Sequence, residues 1–365
     1  MTSDELYMRQ VLALAASMRG RTSPDPMVGS LIVKNNKIIS RGYHGEVTTP
    51  HAEAFALHKA GSRARGATLY VNLEPCCHFG NNPPCTAAII QSGIKRVVAA
   101  MTDPNPLVAG KGFKELRAAG IEVVTDVLET DARRLNEIFI KFISKRKPFV
   151  ILKSAMSLDG KIATSKGESR YISSPASRAV VHDLRSCVDG ILTGVETILQ
   201  DDPRLDVRGR GARRRPAPPY KIVFDSAART PVSAAILRQS PDRVLIVTTR
   251  KAPHRRLKLL RERGAQIVIV KSDRGRVDPA AALSELGSRG ITSLLVEAGG
   301  RLNASLVQAK LADKMVVFIA PKLIGGRAAP TPLDGDGIAR RSHAVTLTEI
   351  RTRRIGSDFF VEGYL

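Results

Sequence analysis

Residues 67–91 decide the fold. They read Ala67-Thr-Leu-Tyr-Val-Asn-Leu73, then Glu74-Pro-Cys76, then Cys77-His-Phe-Gly-Asn-Asn-Pro-Pro-Cys85, then Thr86-Ala-Ala-Ile-Ile-Gln91. The first run is short and of β-type side chains and reads as a strand, while the last is apolar, free of breakers and opened by two prolines, and reads as a helix. Cys76 and Cys85 therefore stand at a strand's end and a helix's start. At the second place a positive dipole and free N–H groups favour thiolate.

Working outward, Gly29-Ser-Leu-Ile-Val33, Arg96-Val-Val-Ala-Ala-Met101 and Ile121-Glu-Val-Val124 read as further strands. Leu6 to Met18, Ala52 to Ala60 and Lys111 to Ala119 read as helices. That alternation predicts a three-layer α/β/α domain. The basic, proline-marked stretch Lys145-Arg-Lys-Pro148 is too polar for core, and a new apolar run, Phe149-Val-Ile-Leu152, follows it. We therefore expect two domains, 1–146 and 147–365. In the second half, Gly190 to Gly194, Lys221 to Phe224, Val244 to Val247, Ile267 to Val270, Ser293 to Glu297 and Met315 to Ile319 predict the strands of a second α/β sheet covered on both faces. Arg208 to Pro219 reads as a solvated loop.

Composition narrows the function. A chain of 365 residues exceeds one ordinary core, and 43% hydrophobic with 25% charged residues is globular. No apolar run is long enough to span a bilayer, and acids occupy the N-terminus where a signal peptide carries bases, so we expect a cytoplasmic protein with no membrane partner. Four cysteines, three of them within ten positions, do not make a secreted disulfide framework. A net charge of +23 favours anionic partners such as phosphates, dinucleotides or nucleic acid. The basic and aromatic interleaving that stacks single-stranded bases is missing, so no nucleic-acid partner is expected.

His51-Ala-Glu53 lies upstream of the two thiols. Thr49 offers an N-cap and Pro50 a first helical position, so His51 and Glu53 are expected to open a helix. Two residues apart, they cannot share a helical face, but they can bracket a site off the helix's end. One imidazole and two thiolates, His51, Cys76 and Cys85, leave a tetrahedral Zn²⁺ one open position, which is a catalytic arrangement. The metal would acidify a water to a pKa near 7, and Glu53 would carry the proton to departing ammonia. One Zn²⁺ per chain is expected, since no second donor set exists.

These residues resemble the cytidine deaminase superfamily. The nine-position spacing of Cys76 and Cys85 is similar to its riboflavin-pathway branch, as are Pro26-Met-Val-Gly29, Gly42-Tyr-His44 and Asp103-Pro-Asn-Pro-Leu-Val-Ala-Gly110. The resemblance implies that Asp25, His44 and His78 contact a phosphoribosylated aminopyrimidine. Where that family usually has Asn before Pro26, this chain has Asp25, and where many members place a cation in the cysteine loop it has Asn81. A carboxylate at 25 accepts hydrogen bonds but cannot donate them.

After the boundary, Leu152 to Ala163, Gly167 to Ile172, His182-Asp-Leu-Arg185, Thr193 to Arg208 and Val296-Glu-Ala-Gly-Gly300 resemble riboflavin-pathway reductases, which share a dihydrofolate reductase-like α/β fold. The turn in Glu297-Ala-Gly-Gly-Arg-Leu-Asn303 has the form strand, glycine turn, helix start and suits a dinucleotide phosphate, which puts Gly299, Gly300, Arg301, Leu302 and Asn303 at an NADPH site. The resemblance implies substrate positions at Ser169, Arg185, Leu205, Arg208 and Glu297, and cofactor positions at Ala155, Tyr171, Thr197 and Asp201. Lys153 and Asp201 are the candidates for aligning or protonating the reacting centre.

The resulting expectation is a homo-oligomeric, bifunctional enzyme that deaminates the aminopyrimidine with zinc and then reduces its ribosyl chain with NADPH. A nucleic-acid base deaminase would show tighter cysteine spacing and a strand-binding surface. A reductase carrying a degenerate deaminase domain would have no need of the intact Glu53.

Overall fold

A computed structural model describes residues 2–46, 49–80, 82–209 and 217–365. Asn81 and most of the 208–219 loop fall outside them. The chain divides into two compact units, Met1–Arg146 and Lys147–Leu365.

The first unit contains α1 (Ser3–Ala16), β1 (Gly29–Lys34), β2 (Lys37–Tyr43), α2 (Ala52–Ala60), β3 (Thr68–Val71), α3 (Cys85–Gln91), β4 (Arg96–Ala99), α4 (Lys111–Ala118), β5 (Glu122–Val124), α5 (Glu129–Leu135) and α6 (Glu137–Lys145). Its five strands run in the order β2-β1-β3-β4-β5, with β1 antiparallel to both neighbours and β3, β4 and β5 parallel. The strand β2 went unread in the sequence. It pairs with β1 across Asn35 and Asn36, both at positive φ, the backbone that a two-residue hairpin requires. A capping box between Thr2 and Glu5 starts α1. Asp4 then accepts two hydrogen bonds from Arg96 and one from Tyr70, so the helix is tied to the sheet through a carboxyl held below its usual range chiefly by Arg96. Gly42 lets α2 lie against β2, because a Cβ there would stand 2.0 Å from the Ala52 carbonyl oxygen.

The second unit contains β6 (Phe149–Ser157), α7 (Pro175–Arg185), β7 (Gly190–Gly194), α8 (Val195–Asp201), β8 (Tyr220–Phe224), β9 (Val244–Thr249), α9 (His254–Glu262), β10 (Gln266–Val270), β11 (Ser272–Asp273), β12 (Arg276–Val277), α10 (Pro279–Ser288), β13 (Ser293–Val296), α11 (Gly300–Gln308), β14 (Lys314–Ala320), β15 (Thr348–Ile355) and β16 (Asp358–Tyr364). Nine strands form one sheet, β10-β9-β8-β7-β13-β6-β14-β16-β15, parallel from β10 to β14 and antiparallel beyond. The central strands β7 and β13 bury nearly every side chain, as the apolar runs require. The last strand, β15, is exposed over almost its whole length and carries Arg351, Arg353 and Arg354, charges that blunt a free sheet edge.

Candidate active sites

In the first unit, α2 and α3 aim their N-termini at one point. The helix α2 begins at Ala52 with His51 as its N-cap, so the expected cap at Thr49 is corrected: Thr49 Oγ1 instead accepts from the Gly45 N–H and donates to the Glu46 carbonyl. The extended backbone of the cap residue swings the imidazole of His51 off the helix end. Its Nδ1 lies 3.5 Å from Cys76 Sγ and 3.3 Å from Cys85 Sγ, and the three donor atoms all fall within 4.8 Å of one another. Zn–S and Zn–N bonds of ~2.3 and ~2.0 Å at a tetrahedral angle place donors about 3.5 Å apart, so the set fits Zn²⁺. The cysteine loop is closed by the Cys85 N–H donating to Cys76 Sγ and the Thr86 N–H donating to the Cys76 carbonyl. Hydrogen bonding from Cys85, with His51, holds the Cys76 thiol down at about 4. Glu53, the second residue of α2, is buried, and burial together with the Cys76 sulfur pushes its carboxyl up.

These groups lie in a cleft of about 330 Å³, which Asp25, His44 and His78 also line. Asp25 Oδ2 stands 3.2 Å from Nε2 of the buried His44, so the carboxylate is spent on an imidazole and does not confront ring nitrogens alone. The imidazole of His44 meets His51 edge-on at 5.4 Å. Sequence reasoning missed several positioning groups. The buried amides of Asn72 and Asn136 both donate to the Met27 carbonyl, and Asn136 Oδ1 accepts the Met27 N–H. Glu74 accepts three backbone N–H groups, from Asp103, Gly110 and Phe113, and so shapes the loop that carries Asp103 and Asn105 to the cleft. Burial raises the Asp103 carboxyl to about 7. Phe139, Phe142 and Ile143 of α6 form a wall, and their helical spacing was the available signal. Cys77 and Cys187, outside this donor set, are half-buried, and His58 is exposed on α2.

In the second unit the central feature is Glu297, which directly follows β13 and is 11% accessible. Arg185 on α7 grips both its carboxylate oxygens, Nη2 at 2.9 Å, and Lys153 on β6 approaches to 3.6 Å. Burial alone would raise Glu297, but Arg185 and Lys153 hold it at about 2, while burial lowers Lys153. Arg185 Nη1 also donates to the Asp206 carbonyl, and the Arg208 N–H donates to His182 Nδ1, which brings the 205–208 loop beside this network. Leu205 is buried at φ +46. Asp201 turns to other partners than Lys153: its carboxylate accepts from Ser169 Oγ at 2.8 Å, and its carbonyl accepts from Arg170.

The cofactor candidates divide. Tyr171 is exposed, with the Arg178 guanidinium 4.3 Å from its ring centroid, and Ala155 and Thr197 are half-buried. Gly299 caps α11 in open space, whereas a Cβ on Gly300 would strike the Thr331 carbonyl at 2.4 Å, so Gly300 serves close packing. Arg301 is exposed, Leu302 packs against the core, and buried Asn303 donates to the Pro332 carbonyl at 3.0 Å. No helix among the described residues is long and apolar enough to cross a membrane.

Comparison with known proteins matches residues 1–101 to the cytidine and deoxycytidylate deaminase zinc-binding region and residues 148–361 to the RibD C-terminal domain. The riboflavin biosynthesis protein RibD of Synechocystis sp. is 42% identical over 365 residues, covering 100% of this chain and 97% of its own. That of Escherichia coli K12 is 40% identical over 335 residues, 89% of either chain. A solved structure of Acinetobacter baumannii RibD superposes with a TM-score of 0.87 at 35% identity, covering 99% of this chain and 98% of the other. The Thermotoga maritima diaminohydroxyphosphoribosylaminopyrimidine deaminase/5-amino-6-(5-phosphoribosylamino)uracil reductase gives 0.86 at 33% identity, with the same coverage.

Proposed function

The chain belongs to the RibD family of riboflavin biosynthesis proteins, bifunctional deaminases and reductases working with Zn²⁺ and NADPH, and from that premise we propose which substrate each unit takes and which side chains act. The first unit removes an exocyclic amine from diaminohydroxyphosphoribosylaminopyrimidine, and the second reduces the ribosyl chain of the resulting 5-amino-6-(5-phosphoribosylamino)uracil to ribityl. The observation that carries this reading is a buried carboxyl, Glu53, beside a three-donor cluster in a cleft.

His51, Cys76 and Cys85 would hold the zinc, which when bound supplies a Lewis acid that acidifies water. Glu53, whose proton affinity burial raises, would hold a proton and move it to the leaving amine. His44, oriented by Asp25, and His78 hold the pyrimidine against this pair. In the second unit NADPH, when bound, would supply a hydride. Arg185, Arg208 and Ser169 bind the substrate, and Lys153, its ammonium made more acidic by burial, gives the proton that completes reduction. Glu297 fixes Lys153 and Arg185, while Asp201 orients Ser169. Ala155, Tyr171, Thr197, Gly299 and Arg301 face the cofactor, while Gly300, Leu302 and Asn303, which pack inward, hold the turn behind it. A cleft of about 330 Å³ supports a small-molecule substrate over nucleic acid, and we take the working form to be a cytoplasmic homo-oligomer.

Incubating the protein with the diaminopyrimidine tests the reading by mass analysis of products. An amine should be exchanged for an oxygen without NADPH, and two hydrogens should be added when NADPH is present. Reduction without prior deamination overturns the order, and no conversion of either kind overturns the substrate.

A further inference from the structure

The interior of the deaminase cleft is acidic. Asp25, Glu53, Glu74 and Asp103 line it, together with the sulfur of Cys76. Among the described lining residues a single side chain, Arg146, carries a permanent positive charge. It lies at the exposed end, whereas Glu53 and Cys85 are 4% and 1% accessible, so the cleft runs from a buried metal set to an open cationic rim.

Arg146 is also oddly placed. It ends α6 with φ +52 and ψ +31, its N–H closing on the Phe142 carbonyl. Glycine adopts that left-handed backbone freely, and a residue with a Cβ does so only at a cost. Its guanidinium leans over the Phe142 ring at 5.9 Å, on the wall of the cleft, and no carboxylate pairs with it among the described residues. An unpaired guanidinium presented at the mouth of an acidic cleft has the form of an anion reader.

We propose that Arg146 is the specificity-determining residue of the deaminase step, binding the phosphate monoester of the substrate at the rim while the pyrimidine reaches the metal set. The assignment rests on the phosphoribosyl substrate proposed above. A phosphate dianion is repelled by the carboxylates within and is strongly hydrated, so it belongs at the exposed end, where a planar fork can bind two of its oxygens.

The test uses the full-length, zinc-loaded protein and compares ammonia release from the phosphorylated substrate and from its dephosphorylated riboside. Arg146→Gly removes the charge and suits the helix cap, so it should leave thermal stability, zinc content and the reductase rate intact. It should raise KM for the phosphorylated substrate about tenfold or more, leaving kcat and the riboside unaffected. Arg146→Lys, with a charge but no fork, should fall between. An unchanged KM in Arg146→Gly, or an equal rise for both substrates, overturns the proposal, and a lowered stability with unchanged KM makes the residue a cap alone. A wild-type chain that deaminates the riboside as well as the phosphorylated substrate defeats it too. Release of no ammonia by the wild-type protein instead overturns the substrate reading beneath it.

Discussion

The two units solve the problem of holding charged groups out of water in different ways. In the first, three metal donors and a proton carrier come from residues 51 to 85, a short stretch whose strand, loop and helix starts converge on one point. In the second, Lys153, Arg185 and Glu297 come from β6, α7 and β13, and only a folded sheet brings them together. A local constellation is fixed by motif and spacing. A distributed one is fixed by topology, and its buried charges must compensate each other, because each alone would be expensive to desolvate.

The sharpest way to break this contrast is Glu53→Gln. Loss of a positioned proton carrier should slow ammonia release by roughly 10² to 10⁴ while zinc content and NADPH oxidation with deaminated substrate stay normal. Deamination at the normal rate would move the proton chemistry to another group.

Next is Glu297→Gln, which strands Lys153 and Arg185 without their carboxylate. Breaking a buried pair costs about 3 to 5 kcal/mol, so thermal unfolding of the second unit should shift down and reduction should fail, with zinc binding untouched. The pH dependence has a definite sign. The Glu297 carboxyl is depressed from 4.5 to about 2 in the folded state, so its stabilisation is fully present above about pH 4.5 and is lost as pH falls towards 2. Acid titration of unfolding should show that slope in the native chain and a flatter one in the variant. Equal slopes would place the acid sensitivity elsewhere.

Dividing the chain tests the contrast directly. A fragment beginning at Lys147 should fold, bind NADPH and reduce the deaminated intermediate without zinc, since its network uses no donor from the first unit. A soluble fragment with no NADPH affinity, or one whose reduction needs zinc, would show that the sites are not independent.

The smallest effect is expected at Asp25. Asp25→Asn keeps an acceptor for His44 and adds a donor towards the cleft, so KM should fall by the worth of one hydrogen bond, about 0.5 to 1.5 kcal/mol. A rise would mean that the negative charge on the His44 partner matters more than the added donor.

The same contrast explains what the sequence disclosed. The apolar runs of β1, β3, β7 and β13 were legible because burial on both faces leaves no polar position to confuse the pattern. The strand β15 was not, since its side chains face water and its Thr, Arg and Glu residues look like loop. The four residues around the zinc position stood out because metal chemistry demands those types at close spacing. The Asn72 and Asn136 amides did not, since an asparagine that binds backbone has no signature until its distant partner is known.

That last pair gives the first unit a timetable. The metal donors are complete once residue 85 has left the ribosome, and Asn72 can already hold the Met27 carbonyl, but the two further bonds to Met27 wait for Asn136, and α6 closes the wall after it. At elongation rates of about 5 to 20 residues per second, that leaves an interval of some seconds. A nascent chain stalled between these points should take up zinc yet turn over no substrate, so that the metal is loaded before there is anything for it to act upon.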